Sequence, residues 1–305
     1  MLQMPKHILI TGGTGVLGKH LTELLLAKGH TVSLLSRSPG NDARVKTYLW
    51  DINKHEIDPD CIIGVDTIVH LAGTGIADKP WTDERKEEIL ESRTRSIKLI
   101  YDLLKSHQHE VTSVVSASGI GYYSDRRNEL LDEDSEPAHD YLGTCCVEWE
   151  KAVDEGEELN LRVVKFRTGV VLTKEGGALT KLAMPVKFGF GAALGSGKQW
   201  VSWIHWHDVA AMYLYGIERK GLKGVYNMVS PNPVTNKQLT KAIANQLHRP
   251  LWLPNVPAFA LKLILGEMST IVLGSTKASA HKIEAKGFKF AYPVVEQALK
   301  EIYGA

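Results

Sequence analysis

Residues 7–30 constrain the fold more than any other stretch. His7-Ile8-Leu9-Ile10 is a short apolar run, suited to a parallel strand buried on both faces. It opens into Thr11-Gly12-Gly13-Thr14-Gly15-Val16-Leu17-Gly18, after which Val16, Leu17, Leu21, Leu24 and Leu25 recur at helical spacing and Gly29 supplies a stop. A second apolar run, Thr31–Ser36, follows. Gly12 permits a tight turn, Gly15 lets the backbone approach a pyrophosphate, and Gly18 lets helix and strand pack closely, with free N–H groups aimed at the anion. Three glycines also occur in ordinary loops. A preceding strand, an opening helix and a returning strand together make the context of a dinucleotide site, with Gly12, Thr14, Gly15, Val16, Leu17 and Gly18 as its expected contacts.

The second strand runs into Ser36-Arg37-Ser38-Pro39, where no carboxylate stands. An acid here would accept from the ribose 2′-OH of NAD, whereas Arg37 flanked by two hydroxyls suits the 2′-phosphate of NADP. NADP is therefore expected in preference to NAD, the alternative being a solvated loop arginine. A third strand is predicted over 45–49, leading to Asp51, which either meets the adenine or caps a turn. A fourth over 66–73 brings Leu71, Ala72 and Gly73 to the pyrophosphate–ribose side. His70, with no partner in view, reads as a packed strand-end residue rather than a catalyst. A helix is predicted over 81–105 with Thr82 as its cap. A fifth strand over 111–116 then delivers Ser118 to the ligand edge, either to polarise a substrate carbonyl or to serve a turn.

At 305 residues the chain exceeds one ordinary domain. The expected division is a dinucleotide domain over 1–168 and a substrate region over 169–305, with a discontinuous boundary allowed. The net charge of +1 favours neither nucleic acid nor membrane partners. Cys61, Cys145 and Cys146 lack metal-ligand spacing. Residues 1–6 lack a signal peptide's apolar run, and Lys262 and Glu267 interrupt the apolar stretch 258–274. A cytoplasmic protein is expected, with a small-molecule substrate, sugar-like among the candidates, and a homodimer as the candidate assembly.

The Thr11 to Gly18 turn, the strand end at His70 to Gly73 and the segment 116–123 together resemble the extended short-chain dehydrogenase/reductase superfamily. Arg167-Thr168-Gly169-Val170, Gly195-Ser196-Gly197-Lys198-Gln199-Trp200, Trp203-Ile204-His205-Trp206-His207-Asp208, the run 226–234 and Ala285-Lys286-Gly287-Phe288 look like its YfcH-type epimerase-like family. The resemblance implies a Rossmann-type, doubly wound parallel sheet with a smaller carboxyl-terminal substrate region, and a nicotinamide cofactor. The superfamily's chemistry uses a Tyr-x-x-x-Lys pair on a helix and a Ser or Thr that steadies the substrate oxygen. Tyr141 and Ser118 fill the first and last of these roles.

Two departures stand out. Cys145 occupies the lysine's position, and a thiol with a pKa of about 8.5 offers no cation to stabilise a phenolate. No helix start or histidine beside it is evident that would make it a nucleophile. Val170 stands where nucleotide-sugar enzymes of the superfamily place an asparagine, and Arg95 about where many members carry a structural asparagine. The glycines from 189 to 197 predict a loop, either one from which Lys198, Gln199 and Trp200 reach an anionic or ring-shaped ligand or a mobile surface loop, and Trp203, Ile204 and Trp206 predict a strand. The expected function is an NADP-dependent epimerase or oxidoreductase acting by hydride transfer on a sugar-like or small hydroxyl/carbonyl substrate. The alternative is an NADP-binding regulatory protein with little or no catalysis.

Overall fold

Short runs of valine, isoleucine and leucine set the order of strands in the computed structural model, which describes residues 4–304. The strands are β1 (His7–Thr11), β2 (Thr31–Ser36), β3 (Lys46–Asp51), β4 (Glu56–Ile57), β5 (Thr67–His70), β6 (Ser113–Gly119), β7 (Leu130–Leu131), β8 (Arg162–Thr168), β9 (Val170–Leu172), β10 (Trp200–Val201), β11 (Trp203–His205), β12 (Gly224–Met228), β13 (Val234–Thr235) and β14 (Lys277–Ala278). The helices are α1 (Val16–Ala27), α2 (Asp83–Ser106), α3 (Tyr141–Asp154), α4 (Gly177–Lys187), α5 (Trp206–Glu218), α6 (Asn236–Gln246), α7 (Ala258–Leu265), α8 (Ser269–Leu273), α9 (His281–Ala285) and α10 (Val295–Tyr303).

The central sheet runs β12-β8-β6-β5-β1-β2-β3-β4. Every pair in it is parallel except β3 with β4. This is the doubly wound, Rossmann-like sheet expected from the sequence. From β1 the chain goes outward to β2 and β3, then returns to lay β5 on the other side of β1. The order thus reverses between β1 and β5, which opens a crevice at their carboxyl ends.

Alternation of side chains explains the two helix layers. Ile8 and Ile10 of β1 enter a cluster with Leu21 and Leu25 of α1 and Val209 and Met212 of α5. Leu9 between them points to the other face, where Ile97 and Ile100 of α2 and Trp149 and Val153 of α3 cover the sheet. Each such fully buried side chain contributes about 1.5–3 kcal/mol. Gly216 lets α5 lie close to the sheet, since a Cβ there would stand 3.0 Å from the Phe166 ring.

The predicted boundaries shift at several places. The third strand is 46–51 rather than 45–49, the fifth runs through Gly119, and the long helix begins at Asp83, with Thr82 Oγ1 accepting from Arg85 N at 3.2 Å. The central sheet draws on residues from both sides of position 168, as β12 returns to pair with β8 and α5 packs on α1. Trp206 does not extend the strand: β11 stops at His205, whose side chain caps α5. Among the described residues no helix is long and apolar enough to cross a membrane.

Candidate active site

The glycine turn at the end of β1 is packed to the limit. Gly12 adopts φ +68°, and a Cβ on it would lie 2.9 Å from the Leu71 carbonyl group. A Cβ on Gly18 would lie 2.5 Å from both Gly12 O and Gly13 Cα, so the first turn of α1 rests directly on the loop. Gly15 is different: its Cβ would meet only Gly12 O, at 3.3 Å, leaving its outer side open. Gly15 is also the N-cap residue and brings no capping side chain. The first-turn N–H groups of α1 are therefore left for an anion.

Thr11 fastens this turn to β5. Its Oγ1 accepts from both Leu71 N and Ala72 N at 3.1 Å, so its proton goes to His70 Nδ1 at 3.0 Å. His70 Nε2 then donates to Ser96 Oγ at 3.2 Å, and Ser96 donates to Arg93 O at 2.9 Å. Burial pushes the imidazole down to about 4. His70 is thus a neutral, packed strand-end residue that holds the edge on which Leu71, Ala72 and Gly73 lie.

At the far end of the turn, Ser36 is buried and accepts from Ser38 N at 3.3 Å. Arg37 is exposed, and neither its side chain nor that of Lys19 has a hydrogen-bond or ion-pair partner among the described residues. Thr14, Lys19 and Ser38 line a hollow of about 480 Å³ beside them. The local acids are already occupied: Asp42 and Glu23 both pair with Arg44. Asp51 Oδ1 accepts from Asn53 N at 2.9 Å and Lys54 N at 3.2 Å, capping the turn after β3.

The other end of the crevice opens into a cleft of about 730 Å³ whose walls include Leu71, Ser118, Val170, Leu182 and Trp200. Lys181 Nζ crosses it to Ala77 O at 2.7 Å. Ser118, 4% exposed, donates to Glu150 Oε1 at 2.7 Å. Glu150 is clamped in turn by Arg167, with Nε to Oε1 at 2.8 Å and Nη2 to Oε2 at 2.9 Å. Arg167 also donates to Tyr123 OH at 2.9 Å and stacks 3.3 Å over the Tyr122 ring.

Tyr141 is the first residue of α3, which Asp140 caps by accepting from Gly143 N at 2.9 Å. Its hydroxyl donates to Lys86 O at 3.0 Å and its ring meets Trp81 edge-on at 4.9 Å. Ser118 belongs to the cleft wall and Tyr141 does not. Burial raises the phenol's pKa, the neighbouring Cys145 adds to this, and the Arg93 charge opposes it. Cys145 lies one turn further on, past the first turn of α3. Burial pushes its thiol up, against the pull of Arg93.

The remaining candidates divide. Gln199 is buried and donates to Leu194 O at 2.9 Å and Val272 O at 3.1 Å, tying the loop rather than reaching for a ligand. Trp200 lines the cleft and donates to Asn128 Oδ1 at 2.8 Å. His205 pairs with Glu301 at 2.7 Å, and Asp208 accepts from Ala291 N at 2.8 Å and Tyr292 N at 3.0 Å; both bind the end of the chain to α5. Arg95 faces solvent with Glu91. The arginine that turns inward is Arg93, which sequence reasoning missed. It had a signal: Arg93 interrupts the apolar stripe of Ile89 and Ile97 at a spacing of four.

Comparison with known proteins agrees with this geometry. The model of the NAD-dependent epimerase/dehydratase family matches residues 8–228, and that of a domain of unknown function, DUF1731, matches 256–302. The chain is 37% identical over 298 residues to the epimerase family protein YfhF of Bacillus subtilis, covering 97% of each. It is 36% identical over 299 residues to the chloroplastic SDR39U1 homolog of Arabidopsis thaliana, also named an epimerase family protein, covering 96% of this chain and 85% of that one. A crystal structure of human epimerase family protein SDR39U1 with NADPH superimposes with a TM-score of 0.86 at 30% identity, covering 97% of this chain and 99% of the human one.

Proposed function

Because the chain belongs to the NAD-dependent epimerase/dehydratase family, we propose that it binds NADP(H) and reduces a small, largely apolar carbonyl substrate, as a member of the YfcH-type epimerase-like family of extended short-chain dehydrogenases/reductases. The observation that carries this reading is the uncapped turn with two unpaired cations at one end and an apolar cleft at the other. The residues fit a dinucleotide: a Cβ at Gly12 or Gly18 would force the packed turn apart, and the open side of Gly15 leaves room for a pyrophosphate. The human relative's NADPH supports the choice of cofactor.

When bound, the nicotinamide supplies hydride. The N–H groups of Val16, Leu17 and Gly18 would hold the pyrophosphate, and Arg37 with Ser38, Thr14 and Lys19 would hold the 2′-phosphate. Leu71, Ala72 and Gly73 would border the ribose, and the turn capped by Asp51 would border the adenine. Ser118 faces the substrate oxygen. Tyr141 leaves the Lys86 carbonyl to give that oxygen its proton, and solvent restores it. Burial keeps the phenol protonated, the form that donates to the oxygen of a carbonyl being reduced. Of the charged groups in the cleft wall, Asp78 and Lys181, Lys181 is engaged with Ala77 O, so a sugar diphosphate finds little to hold it.

A second reading, an NADP-binding regulatory protein, draws on one observation: the Ser118 and Tyr141 hydroxyls are both engaged within the protein. The test has two arms. Calorimetry of NADPH and NADH with wild type and Arg37→Ala should show NADPH affinity falling roughly 10- to 100-fold with NADH unmoved, as loss of a charge-assisted phosphate contact requires. Equal binding of both dinucleotides by wild type, with no effect of the substitution, refutes the NADP assignment. A carbonyl panel followed by NADPH absorbance and product analysis should give turnover that Tyr141→Phe abolishes. Binding without turnover on any carbonyl leaves the regulatory reading.

A further inference from the structure

Arg93 is a guanidinium without a carboxylate partner among the described residues, set into the interface of α2 and α3. The two helices run in register: Lys86 O meets Tyr141 OH, Arg93 stacks 4.9 Å over the Trp149 ring, and Tyr101 OH donates to Val153 O at 2.7 Å. Tyr141, Cys145 and Trp149 recur at intervals of four, so they form one stripe on α3 facing α2. Arg93 lies against that stripe on one side. On the other it lies against β5's exit, where a Cβ on Gly73 would stand 3.2 Å from Arg93 Cζ.

Of its nitrogens only Nη1 finds acceptors among the described residues, Ile89 O at 2.7 Å and Ser92 Oγ at 3.4 Å. Nε and Nη2 have none, yet they are not among the side-chain atoms sealed from solvent without a partner. A half-buried cation with spare donors and no counter-charge is ready to take an acceptor that arrives.

We propose that Arg93 is a cofactor-holding and positioning residue: its free N–H groups grip the ribose hydroxyls of the dinucleotide at Gly73, and its charge faces Tyr141, in place of a lysine at position 145. The superfamily's lysine reaches these two targets from one turn along the tyrosine's own helix. Here the cation comes from the neighbouring helix, and Cys145 fills the vacated place with a small neutral side chain. The electrostatic neighbourhood agrees: the Arg93 charge opposes the effect of burial on Tyr141, with Arg85 adding a smaller share, and on Cys145, with the Tyr141 hydroxyl adding a smaller share.

The inference rests on the dinucleotide reading, and the test separates the two. Calorimetric titration of NADPH and NADH is run on wild type, Arg93→Met, Arg93→Lys and the double variant Arg93→Met with Cys145→Lys, with melting temperatures alongside. Arg93→Met should weaken both dinucleotides by the same factor, roughly 10- to 100-fold, because the ribose is common to both. Arg37→Ala, by contrast, touches NADPH alone. Arg93→Lys should keep most of the affinity, and Cys145→Lys should restore part of it to the Met variant. Unchanged binding by Arg93→Met overturns the proposal, as does a loss that neither lysine recovers and that tracks a fall in melting temperature. Wild type that binds neither dinucleotide refutes the cofactor reading itself, and Arg93 with it.

Discussion

Replacing His70 by asparagine should remove a defined part of the protein's acid sensitivity. In the folded chain the imidazole is fully buried, takes a proton from Thr11 at Nδ1 and gives one to Ser96 from Nε2. Burial moves its pKa from 6.5 to about 4. The unfolded chain therefore binds a proton below pH 6.5 that the folded chain refuses until about pH 4. Stability from this group is whole above 6.5, drains as pH falls through that window and levels off below it. At about 1.4 kcal/mol per unit, the full window is worth about 3 kcal/mol. Between about pH 7.5 and about pH 4.5 nearly all of it, about 2.5 kcal/mol, should be lost.

Asparagine keeps an acceptor for Thr11 and does not titrate. His70→Asn should cost about 1–3 kcal/mol at the higher pH, from one lost hydrogen bond and a small void. Urea unfolding of both proteins at the two pH values isolates His70, because every other titrating group cancels in the double difference. The gap between wild type and variant should shrink or reverse by about 2.5 kcal/mol in acid. A gap of the same size at both pH values refutes the neutral, sealed histidine.

Three further outcomes follow from the packing and charges. Gly18→Ala places a Cβ 2.5 Å from Gly12 O, and should cost about 1–3 kcal/mol together with dinucleotide affinity; an unchanged melting temperature and unchanged calorimetric titration would contradict the packing. Glu150→Ala strips the carboxylate from buried Arg167 and the acceptor from Ser118, and should cost about 3–5 kcal/mol in denaturant unfolding. Iodoacetamide should label Cys145 and Cys146 far more slowly in the folded protein than in urea, because burial raises both thiols; mass spectrometry that finds rapid native labelling would show the α3 thiols to be open.

The front half of the sheet was legible because strand, turn and helix there each carry their own signal within a few residues, from His7 to Ser36. Ser118 was legible as a place and not as an environment. Its acceptor, Glu150, lies 32 residues on, reads locally as a helix-surface acid, and becomes a buried partner only when α3 packs on β6. Arg37 stood out by the absence of an acid beside it, whereas Lys19 gave no hint because its place on the hollow shared with Thr14 and Ser38 depends on the pitch of α1. The two-residue strands β7 and β14 pair across the chain, Lys277 with Leu130 and Ala278 with Leu131, which no local pattern announces. Trp206 read as strand because an aromatic pair flanks His205, but that histidine's side chain accepts from His207 N at 3.3 Å and turns the chain into a helix.

The return of β12 to the edge of the central sheet bears on how the chain is made and dissected. A ribosome that has released residues up to 168 has delivered β8 but neither its outer neighbour β12 nor α5. Until residue 228 emerges, β8 presents an unpaired hydrophobic edge, and the face bearing Val115 and Phe166 lacks the helix that covers it. A fragment ending at 168 should therefore aggregate or remain uncollapsed rather than fold as a free-standing nucleotide binder. The full chain should melt in one transition, because removing its second half unmakes the first.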